Sequence, residues 1–258
     1  MSARHHLVVL LGQSNANGSN TDYEPDGQDA RDPRILTFPG SGLERGTLVP
    51  AREPLAPIGG HAPGGMGPGG PFAALHLAAL PPEDRIVIVP ITMGGTGMRR
   101  HGTYPGVWKV GLDAPPARNL FDAAVDHTRA ALTATGPDAV IDVVLWHQGE
   151  TDGGRTEAEY AADLDELIRA FRIRVPEAAS APFIVGQLPA DRLRAYPDHQ
   201  GVAEALRHLP SRVENTGYAE SPGLGSVNDE TTHLTAAAQR VFGASYAAAY
   251  RETISRSS

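Results

Sequence analysis

Ser14, His233 and a carboxylate just before that histidine, Glu230 or Asp229, are the residue types that together make a hydroxyl nucleophilic. A serine hydroxyl attacks poorly until an imidazole takes its proton, and the imidazole needs a carboxylate to fix its tautomer and stabilise the imidazolium. The serine lies in Gly12-Gln13-Ser14-Asn15, and the histidine lies in the polar stretch from Asn228 to Thr235. A tetrahedral oxyanion also needs donors aimed at it. The backbone N–H groups of Ser14 and of the Gly94-Gly95 pair, with the side-chain amide of Gln148, are candidates for that task. Gln148 belongs to the run His147-Gln148-Gly149-Glu150-Thr151-Asp152, which adds two further carboxylates.

Each cluster also has an ordinary explanation. Ser14 and Asn15 could cap a helix, the glycine pair could be only a turn, and Gln148 and Glu150 could satisfy backbone groups at a strand end. Together they form the inventory of a serine hydrolase. Between the two acids, the three-residue offset of Glu230 lets its carboxylate fold back on the Nδ1–H of His233, whereas the four-residue offset of Asp229 depends more on loop shape. Glu230 is favoured and Asp229 is the alternative; with neither in reach, the pair would run as a dyad oriented by a backbone carbonyl. The other histidines (His5, His6, His61, His76, His101, His127, His199 and His208) are scattered without ligand spacing, so no metal site is expected. Arg99, Arg100, His101 and Tyr104 follow the glycine turn and either line a substrate cleft or form a solvated loop. Trp108 and Trp146 read as packing residues, with Trp108 the better candidate for a sugar platform.

These clusters fall at the ends of regular elements. Leu7–Leu11 is a short apolar run stopped by Gly12, as a buried strand would be. A Gly/Pro-rich excursion follows over about 25–71, in which only Arg34–Phe38 is strand-like. Helical spacing over Phe72–Leu80 then alternates with apolar runs: strand Arg85–Ile91, helix Asn119–Leu132, strand Ala139–Trp146, helix Thr156–Arg174, strand Pro182–Leu188. Gln200–Leu209 reads as helix, Val213–Tyr218 as extended, and Thr235–Ile254 as a final helix. Such alternation predicts βαβ crossovers and a parallel sheet covered on both faces, with ligands outside the carboxyl ends of its strands.

Composition narrows the field further. At 258 residues, one domain is the default expectation, and 41% hydrophobic with 20% charged residues is ordinary for a globular chain. No run approaches the roughly 18 apolar residues of a membrane span. With 22 basic against 30 acidic residues the net charge is −8, which argues against a nucleic-acid partner. The absence of cysteine excludes disulfides, thiolate zinc sites and a thiol nucleophile. Ahead of Gly12 stand one Arg and two His before an apolar run of about five residues, too short for a secretory core, so a cytoplasmic protein is expected.

The set GQSN at Gly12–Asn15, GGT at Gly94–Thr96, HQGETD at His147–Asp152 and a carboxylate followed by TTHLT resembles the SGNH hydrolases. Within them it is similar to the sialate O-acetylesterase-like group, which includes the carbohydrate esterase family six acetylxylan esterases. The motifs occur in the family's order over almost the whole chain. The resemblance implies a flavodoxin-like three-layer α/β/α sandwich with a central five-stranded parallel sheet, in a single domain over 1–258. It implies cofactor-free hydrolysis of acetyl esters on carbohydrates, with an acetylated carbohydrate as the substrate partner. Carried over by position, Ser14 matches the nucleophile, His233 the base, and Ser14, Gly95 and Gln148 the oxyanion donors. Gln13, Asn15, Gly94, Glu150 and Asp152 match supporting positions. One departure is that the acid three residues before the histidine is usually Asp in the family, where this chain has Glu230. Two other readings stay open: the same triad acting on a lipid-like or thioester acyl group, and a carbohydrate-binding descendant without turnover. The intact Ser14 and His233 argue against the second.

Overall fold

A computed structural model describes residues 3–59, 64–99, 106–113, 119–223, 225–227 and 231–257. The regular elements are β1 (His5–Gly12), α1 (Ser14–Asn17), β2 (Ile35–Thr37), β3 (Val49–Pro50), α2 (Gly69–Leu77), β4 (Arg85–Thr92), α3 (Leu120–Thr135) and β5 (Val140–His147). They continue with α4 (Glu157–Arg174), β6 (Phe183–Gly186), α5 (Ala190–Ala195), α6 (Gln200–Arg207), α7 (Leu209–Arg212), β7 (Thr216–Ala219) and α8 (Ala236–Ser257).

The strands form one sheet in the order β3-β2-β4-β1-β5-β6-β7, parallel throughout except for the β2–β3 pair. The sheet has seven strands, not the expected five. The five long-range strands, β4-β1-β5-β6-β7, have the doubly wound order, and the Gly/Pro excursion adds β2 and β3 to their β4 edge. Those two strands span three and two residues, too short to leave a periodic signal, although β2 falls inside the strand-like Arg34–Phe38. The outermost, β3, ends in Pro50, a residue without an N–H to offer another strand.

Side chains alternate between two cores, which explains why the strands read as unbroken apolar runs. Leu7, Val9 and Leu11 of β1 pack with Val87, Val89 and Val144 against Phe121, Leu164 and Leu206 from α3, α4 and α6. Val8 and Leu10 pack with Ile86, Ile88 and Leu145 against Phe72 of α2 and Phe242 and Tyr246 of α8. Helices therefore cover both faces. Helix α4 starts at a capping box in which Thr156 and Glu159 exchange hydrogen bonds with each other's backbone amides.

Register sets the level of the site. Gly12 is paired with Thr92 of β4 on one side and His147 of β5 on the other, so three strands end side by side. The chain crosses from β1 to β4 and then back past β1 to β5, which opens a crevice at the carboxyl end of β1.

Candidate active site

The turn out of β1 is tight. Gly12 has φ +139°, and a Cβ there would lie 2.0 Å from the His147 carbonyl oxygen, so glycine alone fits. The Gln13 amide donates to that same carbonyl at 2.9 Å, and the Gln13 carbonyl accepts from the amides of Ala16 and Asn17. Ser14 thus becomes the first residue of α1, and neither Ser14 nor Asn15 caps a helix. The Ser14 Oγ lies 3.2 Å from Nε2 of His233, a contact between residues 219 apart in sequence. This distance suits a hydroxyl donating to the bare nitrogen of a neutral imidazole.

Asn15 fastens the backbone on both sides of His233. Its Nδ2 donates to the Thr232 carbonyl at 2.8 Å and its Oδ1 accepts from the Leu234 amide at 3.0 Å. The same Nδ2 donates to Oε1 of Glu150 at 2.6 Å, and the Asn15 carbonyl accepts from Gln239 of α8. Within the loop, the His233 carbonyl takes the Val227 amide at 2.8 Å. Arg192 braces the arrangement from outside, donating to Thr232 Oγ1 at 2.7 Å and to the Glu150 carbonyl at 2.9 Å while lying over the Tyr196 ring. Burial pushes the Glu150 carboxyl upward, but the charge and hydrogen bond of His147, with the Asn15 amide, outweigh it and hold the group down to about 2. His147 Nε2 stands 2.9 Å from Glu150 Oε1, and since a carboxylate only accepts, that nitrogen carries the proton.

The second wall is the turn after β4. The Met93 amide bonds the Gly12 carbonyl at 3.0 Å, and Gly95 takes φ +69°, a conformation that favours glycine. Thr96 Oγ1 donates to the Met93 carbonyl and accepts from Trp108 Nε1. Asp152 Oδ2 accepts from the Met98 amide at 2.9 Å and from Gln148 Nε2 at 2.7 Å, tying this turn to the one after β5. Burial raises the Asp152 carboxyl against the opposing pull of those donors and Arg155. Gln148 is fully buried, and its Oε1 accepts from Tyr160 at 2.8 Å. Its two amide protons face three acceptors: Gln13 Oε1, the Thr96 carbonyl and Asp152. In this arrangement Gln148 binds the loops together, and an oxyanion would have to displace one of those acceptors. No other described group takes the backbone amides of Ser14 or Gly95.

Asp229 and Glu230 lie outside the described residues, as do Arg100, His101, Tyr104 and His61. Arg99 is exposed. Trp108 is no sugar platform: it is 1% exposed and packs edge-on against Trp146, with ring centroids 5.0 Å apart. Among the described residues no group of His, Asp and Glu could hold a metal ion. Sequence reasoning missed Arg192, whose short helix α5 carries no periodic signal, and Tyr160, which reads as one more apolar position of α4.

Residues 4–252 match the family described as carbohydrate esterase, sialic acid-specific acetylesterase. The chain belongs to this family. Its fold is that of NanS, with a TM-score of 0.80 at 17% identity over 99% of both chains. A protein from Arabidopsis thaliana superposes with a TM-score of 0.77 at 25% identity, covering 96% of this chain and 98% of that one. A carbohydrate acetylesterase from Xanthomonas citri follows with a TM-score of 0.50 at 20% identity, covering 96% of this chain and 56% of that one. No curated protein matches the chain by sequence. Membership of this family places the chain among the carbohydrate esterases. Among the described residues no helix is long and apolar enough to cross a membrane.

Proposed function

We propose that the protein is a serine esterase that removes acetyl groups from a carbohydrate through an acyl-enzyme. The observation that carries this reading is the 3.2 Å contact of Ser14 Oγ with His233 Nε2, at the crevice where the sheet order reverses. Ser14 attacks the acetyl carbonyl as His233 takes its proton, and the backbone amides of Ser14 and Gly95 receive the oxyanion. Collapse of the tetrahedral adduct expels the sugar alkoxide, which takes the proton from His233 and leaves acetyl-Ser14. A water then gives its proton to His233 and attacks the acyl group; acetate departs as Ser14 recovers its hydrogen. Glu230, with Asp229 as the alternative, is the acid that orients His233. The substrate partner is an acetylated carbohydrate, and no cofactor takes part.

The test is steady-state hydrolysis of para-nitrophenyl acetate against the butyrate and octanoate esters, with Ser14→Ala assayed in parallel. Turnover that prefers acetate and disappears in the variant is expected. A preference for octanoate would move the substrate to lipid-like acyl groups, and turnover undiminished in Ser14→Ala would overturn the nucleophile.

A further inference from the structure

Asn15 and Asn17 are the same residue type two positions apart on one short helix, and they are used in opposite ways. Both polar atoms of the Asn15 side chain are bonded, to Glu150, Thr232 and Leu234. Asn17 is 9% exposed, and its Oδ1 is buried without any hydrogen-bond partner. Residues three apart on a helix share a face, so Asn17 lies on the Ser14 side of α1. Opposite it stands the glycine-rich stretch from Gly64 to Gly67. A Cβ on Gly64 would come within 3.8 Å of Asn17 Nδ2, and one on Gly67 would strike the Ala16 carbonyl at 2.1 Å. The backbone thus approaches α1 closely there, yet Asn17 bonds none of it.

Buried polar groups are nearly always paired, because one left unpaired carries the cost of its lost hydration. A residue that carries this cost beside the nucleophile is suited to a group that arrives with the substrate. A carboxamide presents both a donor group and an acceptor, and a free sugar hydroxyl can both donate and accept. The geometry points to Asn17 as a specificity-determining contact that reads a free hydroxyl next to the acetylated oxygen of a carbohydrate. This assignment rests on the acetylesterase reading above.

The experiment compares a monoacetylated methyl glycoside that keeps its neighbouring hydroxyls with the same ester carrying those hydroxyls as methyl ethers. The readout is the ratio of kcat/KM for the two, in wild type, Asn17→Leu and Asn17→Ser, with Ser14→Ala as background. General damage to the catalytic groups cancels in the ratio. Wild type is expected to favour the free hydroxyls by about tenfold or more, the scale of one lost buried hydrogen bond. Asn17→Leu should bring the ratio close to one, and Asn17→Ser should recover part of it. Because Asn17→Leu breaks no hydrogen bond, its melting temperature should equal or exceed that of wild type. A wild-type ratio near one, a ratio retained in Asn17→Leu, or a lowered melting temperature in that variant would each overturn the Asn17 assignment while leaving the esterase reading in place. Wild type that hydrolyses neither glycoside above the Ser14→Ala background would overturn the esterase reading, and this assignment with it.

Discussion

Replacing Glu150 by Gln should change the pH dependence of folding stability in a way that the wild-type site dictates. Glu150 is fully buried, and its carboxyl is held down to about 2 from an ordinary 4.5 because His147 and Asn15 offset the burial that would raise it. A carboxyl whose pKa is lowered on folding adds stability above its unfolded value and loses it as pH falls through the folded one. About two and a half pKa units at 1.36 kcal/mol each gives about 3 kcal/mol, present at pH 5 and above and lost toward pH 2. Gln retains an acceptor for the Asn15 and His147 donors but carries no charge, and its NH2 replaces the unpartnered Oε2. Urea unfolding followed by circular dichroism at pH 7, 5, 4 and 3 should find the variant about 3 kcal/mol less stable at pH 7, with the gap shrinking at each step below pH 5. A gap that stays constant from pH 7 to 3 would show instead that the charge of Glu150 contributes nothing to the difference.

Glu53 should behave in the opposite sense. Burial raises its carboxyl to about 7 despite the neighbouring Arg31, so stability is fullest below pH 4.5 and declines as pH rises through 7. Glu53→Gln should flatten that decline in melting temperatures taken between pH 5 and 8; an unchanged decline would assign it to another group. Gly12→Ala must fit a Cβ 2.0 Å from the His147 carbonyl at positive φ, and about 3–5 kcal/mol should be lost in denaturant unfolding, against little change if the turn can relax. In acetyl-ester kinetics, Glu230→Gln should cut turnover far more than Asp229→Asn, and the reverse ranking would reassign the acid. Asn15→Ala removes the anchors of both Thr232 and Leu234, so kcat should fall more steeply than stability at pH 7. Loss of stability with kcat intact would leave Asn15 no part in placing His233.

Much of the fold was legible because apolar runs closed by glycine or polar residues mark buried parallel strands. The runs at Leu7–Leu11 and Arg85–Ile91 both became central strands, β1 and β4. What escaped was too short to be periodic: β3, with two residues, and α5, with six. Ser14 and His233 could be paired from chemistry alone, since a serine needs a base, and the structure places them in contact. Asn15 and Asp152 could be named as supporting residues but not given their bonds, because their partners lie on turns after different strands. Trp108 was legible as a packing residue in spite of its Gly/Pro-flanked stretch: its indole fills the core and donates to Thr96.

The acyl-enzyme is seen most directly in the intact mass of the protein, acid-quenched within milliseconds of mixing with an acetylated glycoside, followed by peptide mapping. A transient gain of one acetyl group is expected on the peptide that contains Ser14, absent in Ser14→Ala. An acetyl group on another residue, or acetate released at the wild-type rate by Ser14→Ala, would contradict an acyl-enzyme at Ser14.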